Sequence, residues 1–370
     1  MAKHEAVSPA PIPLPEAQTV QIVSRELEEA VEDDDDDDFD DSAGDELDTS
    51  GIDEAHVDDA TWLTFAEAFR RMRKRAKASE REGRAILLCG PTGSGKSHVL
   101  DRVENAPTFV PIETDMGIVR TLVRVDAPAP CTLKTLGTTI YRELTGVDLR
   151  SHIQEHEIWN RVRAQLAAQK VKYLMIDELN HVLLAKSVIE HRKVAETFKR
   201  VMQMKDWKVY LILAGMPESL PFLRGNGQLN RRTKKIEIRP VVAGDVGNAA
   251  IATHVKILIE KLGTAVDFDL AEAAPRFHLA SGGYLGKVAE LLKNALEVAS
   301  DAGGDHITLG DLAEAYDDLY GASTDDIGDE KNPFLCTDHS LAMRIVAADN
   351  SRETKLKGKR SSPQRLEAQI

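Results

Sequence analysis

The stretch AILLCGPTGSGKSHVL, residues 85–100, decides how the rest of the chain is read. Ala85 to Cys89 are all apolar, the pattern of a short strand buried on both faces. Gly90 to Ser97 then fit G-x-x-x-x-G-K-[ST] in full, and a helix is expected from about Lys96. Strand, glycine-rich turn and helix in that order make a phosphate cradle, because the glycines let successive backbone N–H groups converge on an anion at a helix N-terminus. In such a loop Lys96 reaches the β- and γ-phosphates, and the Ser97 hydroxyl binds Mg²⁺. The candidate nucleotide contacts are therefore Gly90, Pro91, Thr92, Gly93, Ser94, Gly95, Lys96, Ser97 and the adjoining His98. His98 itself reads as a packed or solvated helix residue rather than a catalyst.

A second signal stands 81 residues after Lys96, where Leu174-Met-Ile runs into Asp177 and Glu178. A carboxylate ending an apolar strand sits at the carboxyl edge of a parallel sheet, beside the phosphate loop. Asp177 is thus a second candidate for Mg²⁺, largely through water. Glu178 is placed to polarise an attacking water, which an ATPase needs and a nucleotide kinase does not. A third signal is Gln228-Leu-Asn-Arg231-Arg232. A guanidinium that neutralises a γ-phosphate is a catalytic device often supplied by a neighbouring subunit. Arg231 and Arg232 are both candidates, and a solvated basic turn is the plain alternative, since Lys234 and Lys235 come next.

Around these signals, strand-like and helix-like segments alternate. Strands are expected at 121–125, 171–176, 208–214 and 235–238, and helices at 132–145, 155–169 and 187–205. That alternation predicts an α/β fold with a parallel five-stranded sheet covered by helices on both faces. Beyond Pro240 no further strand is expected. Helical patterns fill 246–262, 268–280, 284–300 and 308–320, a small all-helical unit. Its Ser281-to-Lys287 segment reads either as a tight glycine-rich turn or as a place from which Lys287 senses nucleotide. Before the first strand, Trp62, Phe65 and Phe69 share one helical face in a segment crowded with Arg70, Arg71, Arg73, Lys74, Arg75 and Lys77. That basic helix is either a packed helix with a solvated face or a contact for a phosphate backbone. Trp159, Trp207 and Tyr210 read as core. The expected divisions are 1–60, 61–240, 241–320 and 321–370.

The net charge of −14 belongs to one end of the chain. Residues 1–60 carry 21 acidic and 2 basic residues, including the run Asp33 to Asp38, so the remaining 310 carry 40 acidic and 45 basic. The acidic segment predicts either a disordered solvated tail or a mimic of nucleic acid that competes for a basic groove. The body is mildly basic and open to a nucleic-acid partner. No run of eighteen apolar residues and no secretory leader pattern occurs, and Cys89, Cys131 and Cys336 lie far apart with no metal-ligand spacing. A cytoplasmic, reduced protein without a membrane span, disulfide scaffold or zinc site is expected.

Together, the phosphate loop, the Asp-Glu pair, the arginine-bearing segment and the helical unit resemble an AAA+ ATPase. Ile176 to Leu184, the subsequent FKRVMQMKDWKVYLILAGMPESL (198–220) and GQLNRR (227–232) are more specific. They resemble the TniB family, the transposon-encoded AAA+ ATPases related to TnsC and MuB. The likeness covers about residues 62–320. It implies ATP and Mg²⁺ as ligands, Lys96 and Glu178 as catalytic residues with Arg232 ahead of Arg231 as the finger, and a helical lid. It also implies a ring or filament of subunits on duplex DNA, held through the backbone without sequence preference. Residues 70–77 and Lys134 are candidate contacts. A DDE transposase and a target-selection protein are the implied partners, and regulation of transposition the implied role. Two other roles fit the same motifs: an AAA+ loader or initiator, and a nucleotide-held scaffold with little turnover. Gly215 is followed by Met216, where a polar sensor is usual, which favours slow hydrolysis.

Overall fold

The computed structural model of the chain describes residues 59–78, 82–115, 117–183, 188–321, 332–337 and 344. The acidic run and most of the segment after residue 321 lie outside the described residues. In chain order, α1 (Ala60–Lys77) leads into β1 (Ala85–Cys89) and α2 (Lys96–Glu104). A hairpin of β2 (Ile112–Thr114) and β3 (Gly117–Val119) precedes β4 (Leu122–Asp126), α3 (Leu133–Thr145) and α4 (Glu155–Ala168). Next come β5 (Tyr173–Asp177), α5 (Leu179–Leu183), α6 (Val188–Met202), β6 (Tyr210–Gly215), α7 (Ser219–Arg224), α8 (Gly227–Arg232) and β7 (Thr233–Glu237).

Five of these strands form one parallel sheet in the order β4-β5-β6-β1-β7. β1 therefore lies between two strands that come more than a hundred residues later. The crevice outside its carboxyl end is where an open α/β sheet binds ligands. Every residue of β1 is buried, and they alternate between two cores. Ala85, Leu87 and Cys89 face the side covered by α3, α4 and α6. Ile86 and Leu88 face the side covered by α1 and α2. Burial on both faces is why the strand reads as an unbroken apolar run.

Helix α1 begins where the Asp59 carboxylate caps it, accepting from the Trp62 amide at 2.7 Å. Phe65, Phe69, Met72 and Ala76 recur at helical spacing and are buried, while Lys74, Arg75 and Lys77 occupy the last turn, where cations suit the helix dipole. Phe69 packs edge-on to Tyr173 at 5.2 Å between ring centroids, which fixes the helix across β5.

Past β7 come α9 (Asp245–Leu262), β8 (Ala265–Val266), α10 (Leu270–Ser281), α11 (Leu285–Asp301), β9 (His306–Ile307) and α12 (Leu309–Tyr320). Ile251, Phe277, Leu291, Leu292 and Leu312 build a separate core there. The expectation that strands stop at Pro240 is corrected: β8 and β9 pair in parallel, Ala265 with His306 and Val266 with Ile307. Two-residue strands carry no alternation to read in a sequence. The hairpin β2–β3 is likewise an addition to the expected elements, since its three-residue strands are largely exposed.

Candidate nucleotide site

The turn Gly90–Gly95 leaves β1 and enters α2 with Gly93 at φ 70° and Gly95 at φ 93°, the left-handed region that glycine enters without strain. Thr92 to Lys96 line a cavity of about 560 Å³ together with Ser97, His98, Glu178 and residues of α1, α9 and α11, while Gly90 and Pro91 do not reach it. Lys96 is only 6% exposed, and its Nζ donates to the Gly90 and Pro91 carbonyls at 3.1 and 2.9 Å. Burial lowers its pKa, while Glu178 and Asp177 pull the other way.

Asp177 ends β5 and is 2% exposed. Its Oδ1 accepts from the Glu178 amide at 2.8 Å, and its Oδ2 accepts from Ser97 Oγ at 3.0 Å. Ser97 and Asp177 thus set a hydroxyl and a carboxylate side by side at the loop, the hard oxygen donors that Mg²⁺ takes, so these two residues would suit the ion, Asp177 largely through water. Glu178 adopts φ 50°, one of two non-glycine residues in the left-handed region among the described residues. Such backbone persists where surrounding structure enforces it, and here it brings Glu178 to the wall of the same cavity.

The helical unit reaches this cavity through the start of α11. A Cβ on Gly286 would lie 2.5 Å from the Gly95 nitrogen and 2.7 Å from the Gly93 oxygen, so only glycine allows this backbone-to-backbone seat. The Lys287 stem passes over Gly93, but its ammonium lies 5.6 Å from the Tyr320 ring, and Lys287 is not among the residues lining the cavity. His254, on α9, is 9% exposed and lines the cavity with Trp62, Leu258 and Leu285. Burial pushes its pKa down to about 4, so the ring is neutral near pH 7.

Arg232 lies elsewhere. It ends α8 just before Thr233, which pairs with Ala85 at the amino end of β1. A five-residue strand spans about 17 Å, so Arg232 faces away from the phosphate loop of its own chain. Its Nε donates to Glu82 Oε2 at 2.7 Å, and its Nη2 lies 2.5 Å from the same oxygen. The segment carrying it is helical rather than a loop. Arg71, Arg75, Arg84, Arg231 and Lys234 line the cleft around it.

Several polar groups around the ends of β5 and β6 had no signal in the sequence. Arg124 donates to Asp177 Oδ2 at 3.1 Å. Asn180 Oδ1 and Ser219 Oγ are buried without partners, and a Cβ on Gly215 would lie 2.8 Å from Ser219 Oγ. They stand at the strand end where Met216 offers no polar atom.

A family model described as bacterial TniB protein matches residues 55–241, half of the chain. The chain belongs to the TniB family. No curated protein matches the sequence. Among solved structures, Cdc6p from Pyrobaculum aerophilum aligns with 83% of this TniB-family chain and 85% of its own, at TM-score 0.57 and 11% identity. The Aeropyrum pernix ORC2 protein, solved in ADPNP–ADP complexes, aligns over 72% and 70% at TM-score 0.51 and 16% identity. These likenesses establish the fold: a P-loop NTPase of AAA+ type, its parallel five-stranded sheet flanked by helices and followed by a helical region.

Proposed function

We propose that this TniB-family protein binds and hydrolyses ATP with Mg²⁺, assembles on duplex DNA and regulates transposition by marking target DNA and recruiting a DDE transposase. The observation that carries the ATPase reading is that Lys96, Ser97 and Glu178 line one cavity with the phosphate loop while Asp177 is bonded to Ser97. In this reading residues 61–240 are the nucleotide-binding unit, 241–320 a lid, and 1–60 and 321–370 appended tails, in the cytoplasm. The loop amides and Lys96 hold the phosphates. Ser97 and Asp177 hold Mg²⁺, which when bound neutralises charge building on the phosphate oxygens. Glu178 draws the proton from the attacking water. Arg232 acts on the site of the next subunit, so subunits join as a ring or filament. DNA is held through phosphates, with residues 70–77 and Lys134 as candidates, and binding weakens steeply with salt. A target-selection protein is a further candidate partner.

The test is ATP turnover with and without duplex DNA, together with a filter-binding salt series. Stimulated turnover and a steep salt slope are expected, and turnover indifferent to DNA would contradict the assignment. Met216 favours a second reading, a nucleotide-held scaffold with little turnover. Tight ATP binding with stable DNA-bound assemblies and no phosphate release would select it.

A further inference from the structure

Arg124 is a largely buried cation that this mechanism leaves without a task. Its side chain is 14% exposed and meets carboxylates from three elements. These are Asp101 and Glu104 on α2, the latter at 3.2 Å, Asp126 on β4 at 3.8 Å, and Asp177 on β5 at 3.1 Å. A guanidinium stays protonated in folded proteins, so these contacts are ion pairs.

Asp177 is the most enclosed of the four acids, and a carboxylate so enclosed needs a counter-charge. Lys96 feels the Asp177 charge but gives its hydrogen bonds to the Gly90 and Pro91 carbonyls. Arg124 supplies a charge in direct contact, and it touches Oδ2, the same oxygen that Ser97 meets. A guanidinium bonded to a carboxylate and a divalent cation brought up to the same carboxylate repel each other. The remaining acids give Arg124 partners to keep when a metal takes its share of Asp177.

We propose that Arg124 is a positioning residue and the resident counter-ion of the metal site: it holds the Asp177 carboxylate towards Ser97 and keeps free divalent cations out until a nucleotide brings one in. This rests on the reading of Ser97 and Asp177 as the Mg²⁺ ligands.

The test is Mn²⁺ binding to the nucleotide-free full chain, measured as the loss of the free Mn²⁺ signal in electron paramagnetic resonance. Arg124→Gln is expected to take up one Mn²⁺ at least about tenfold more tightly than the wild type, and to lose that gain when Asp177→Asn is added. Arg124→Lys, which keeps the charge, is expected to exclude Mn²⁺ as the wild type does. Equal affinity in Arg124→Gln and wild type, a gain that survives Asp177→Asn, or uptake by Arg124→Lys equal to that of Arg124→Gln would each overturn the proposal. If Arg124→Gln fails to fold, Asp101→Asn serves, since Asp101 is 43% exposed. Removing that partner should draw Arg124 harder onto Asp177 and raise the Mg²⁺ concentration needed for half-maximal ATP binding severalfold; an unchanged value would overturn it. The Mn²⁺ measurement involves no turnover, so failure of the ATPase reading leaves its outcome separately legible.

Discussion

The two edges of the central sheet differ in completeness. At the carboxyl edge, Ser97 and Glu178 line one cavity with Thr92 to Lys96, Asp177 is bonded to Ser97, and Lys96 is bonded to the loop carbonyls. At the amino edge, Arg232 stands among other cations, bonded to Glu82 of its own chain, with Nη1 buried and unpartnered. One edge gathers a full set of groups around a cavity, and the other holds a charged group with no such set beside it. Parallel strands impose the separation. β1 and β7 run side by side, so the helix entering β7 and the loop leaving β1 lie at opposite ends of the sheet. Under the proposed function a second subunit would unite them.

This contrast is open to attack from either edge. The largest effect belongs to Arg232→Ala. Loss of an arginine finger lowers turnover by about 10³-fold or more, and ATP affinity measured on isolated subunits should not change. A fall in that affinity would place Arg232 in its own chain's site. Glu178→Gln should lower turnover by about 10²- to 10⁴-fold while ATP binding and DNA-bound assemblies persist. Normal phosphate release by that variant would remove Glu178 from the chemistry.

Smaller effects probe the seam between the sheet and the helical unit. His254 has its pKa lowered from 6.5 to about 4. The unfolded chain therefore takes up a proton in that window that the folded chain refuses. Stability from this residue is complete above pH 6.5 and is lost as pH falls towards 4, by about 3 kcal/mol in all. Urea melts at stepped pH should show the loss, and His254→Gln should flatten it. Gly286→Ala should weaken ATP binding about tenfold, in line with the 1–3 kcal/mol typical of overpacking, because its Cβ would strike the loop backbone. Ser219→Ala is the mildest change, with turnover falling a few-fold if this hydroxyl serves where Met216 cannot.

Local signals were legible in the sequence. Gly90–Ser97 could be read because a phosphate loop is built from consecutive residues. Asp177 and Glu178 could be read because a strand end fixes what the next residues face. The apolar face of α1 could be read because Trp62, Phe65 and Phe69 keep one period, with Phe65 and Phe69 buried and Trp62 partly so. What escaped depends on chain segments far apart. Arg124 looks like any polar residue in a half-buried strand until α2 and β5 bring it Asp101 and Asp177. Gly286 looks like a turn glycine until the loop backbone lies against it. Ser219 and Asn180 lie 39 residues apart, and neither has a local pattern.

The most direct test of a site shared between subunits is complementation. Lys96→Ala cannot hold the phosphates but keeps Arg232, and Arg232→Ala keeps the phosphate loop but loses the finger. Each alone should be inactive as an ATPase on duplex DNA. Mixed, they should recover part of the wild-type rate, because some interfaces then pair an intact loop with an intact arginine. A mixture no more active than its separate components would contradict the account.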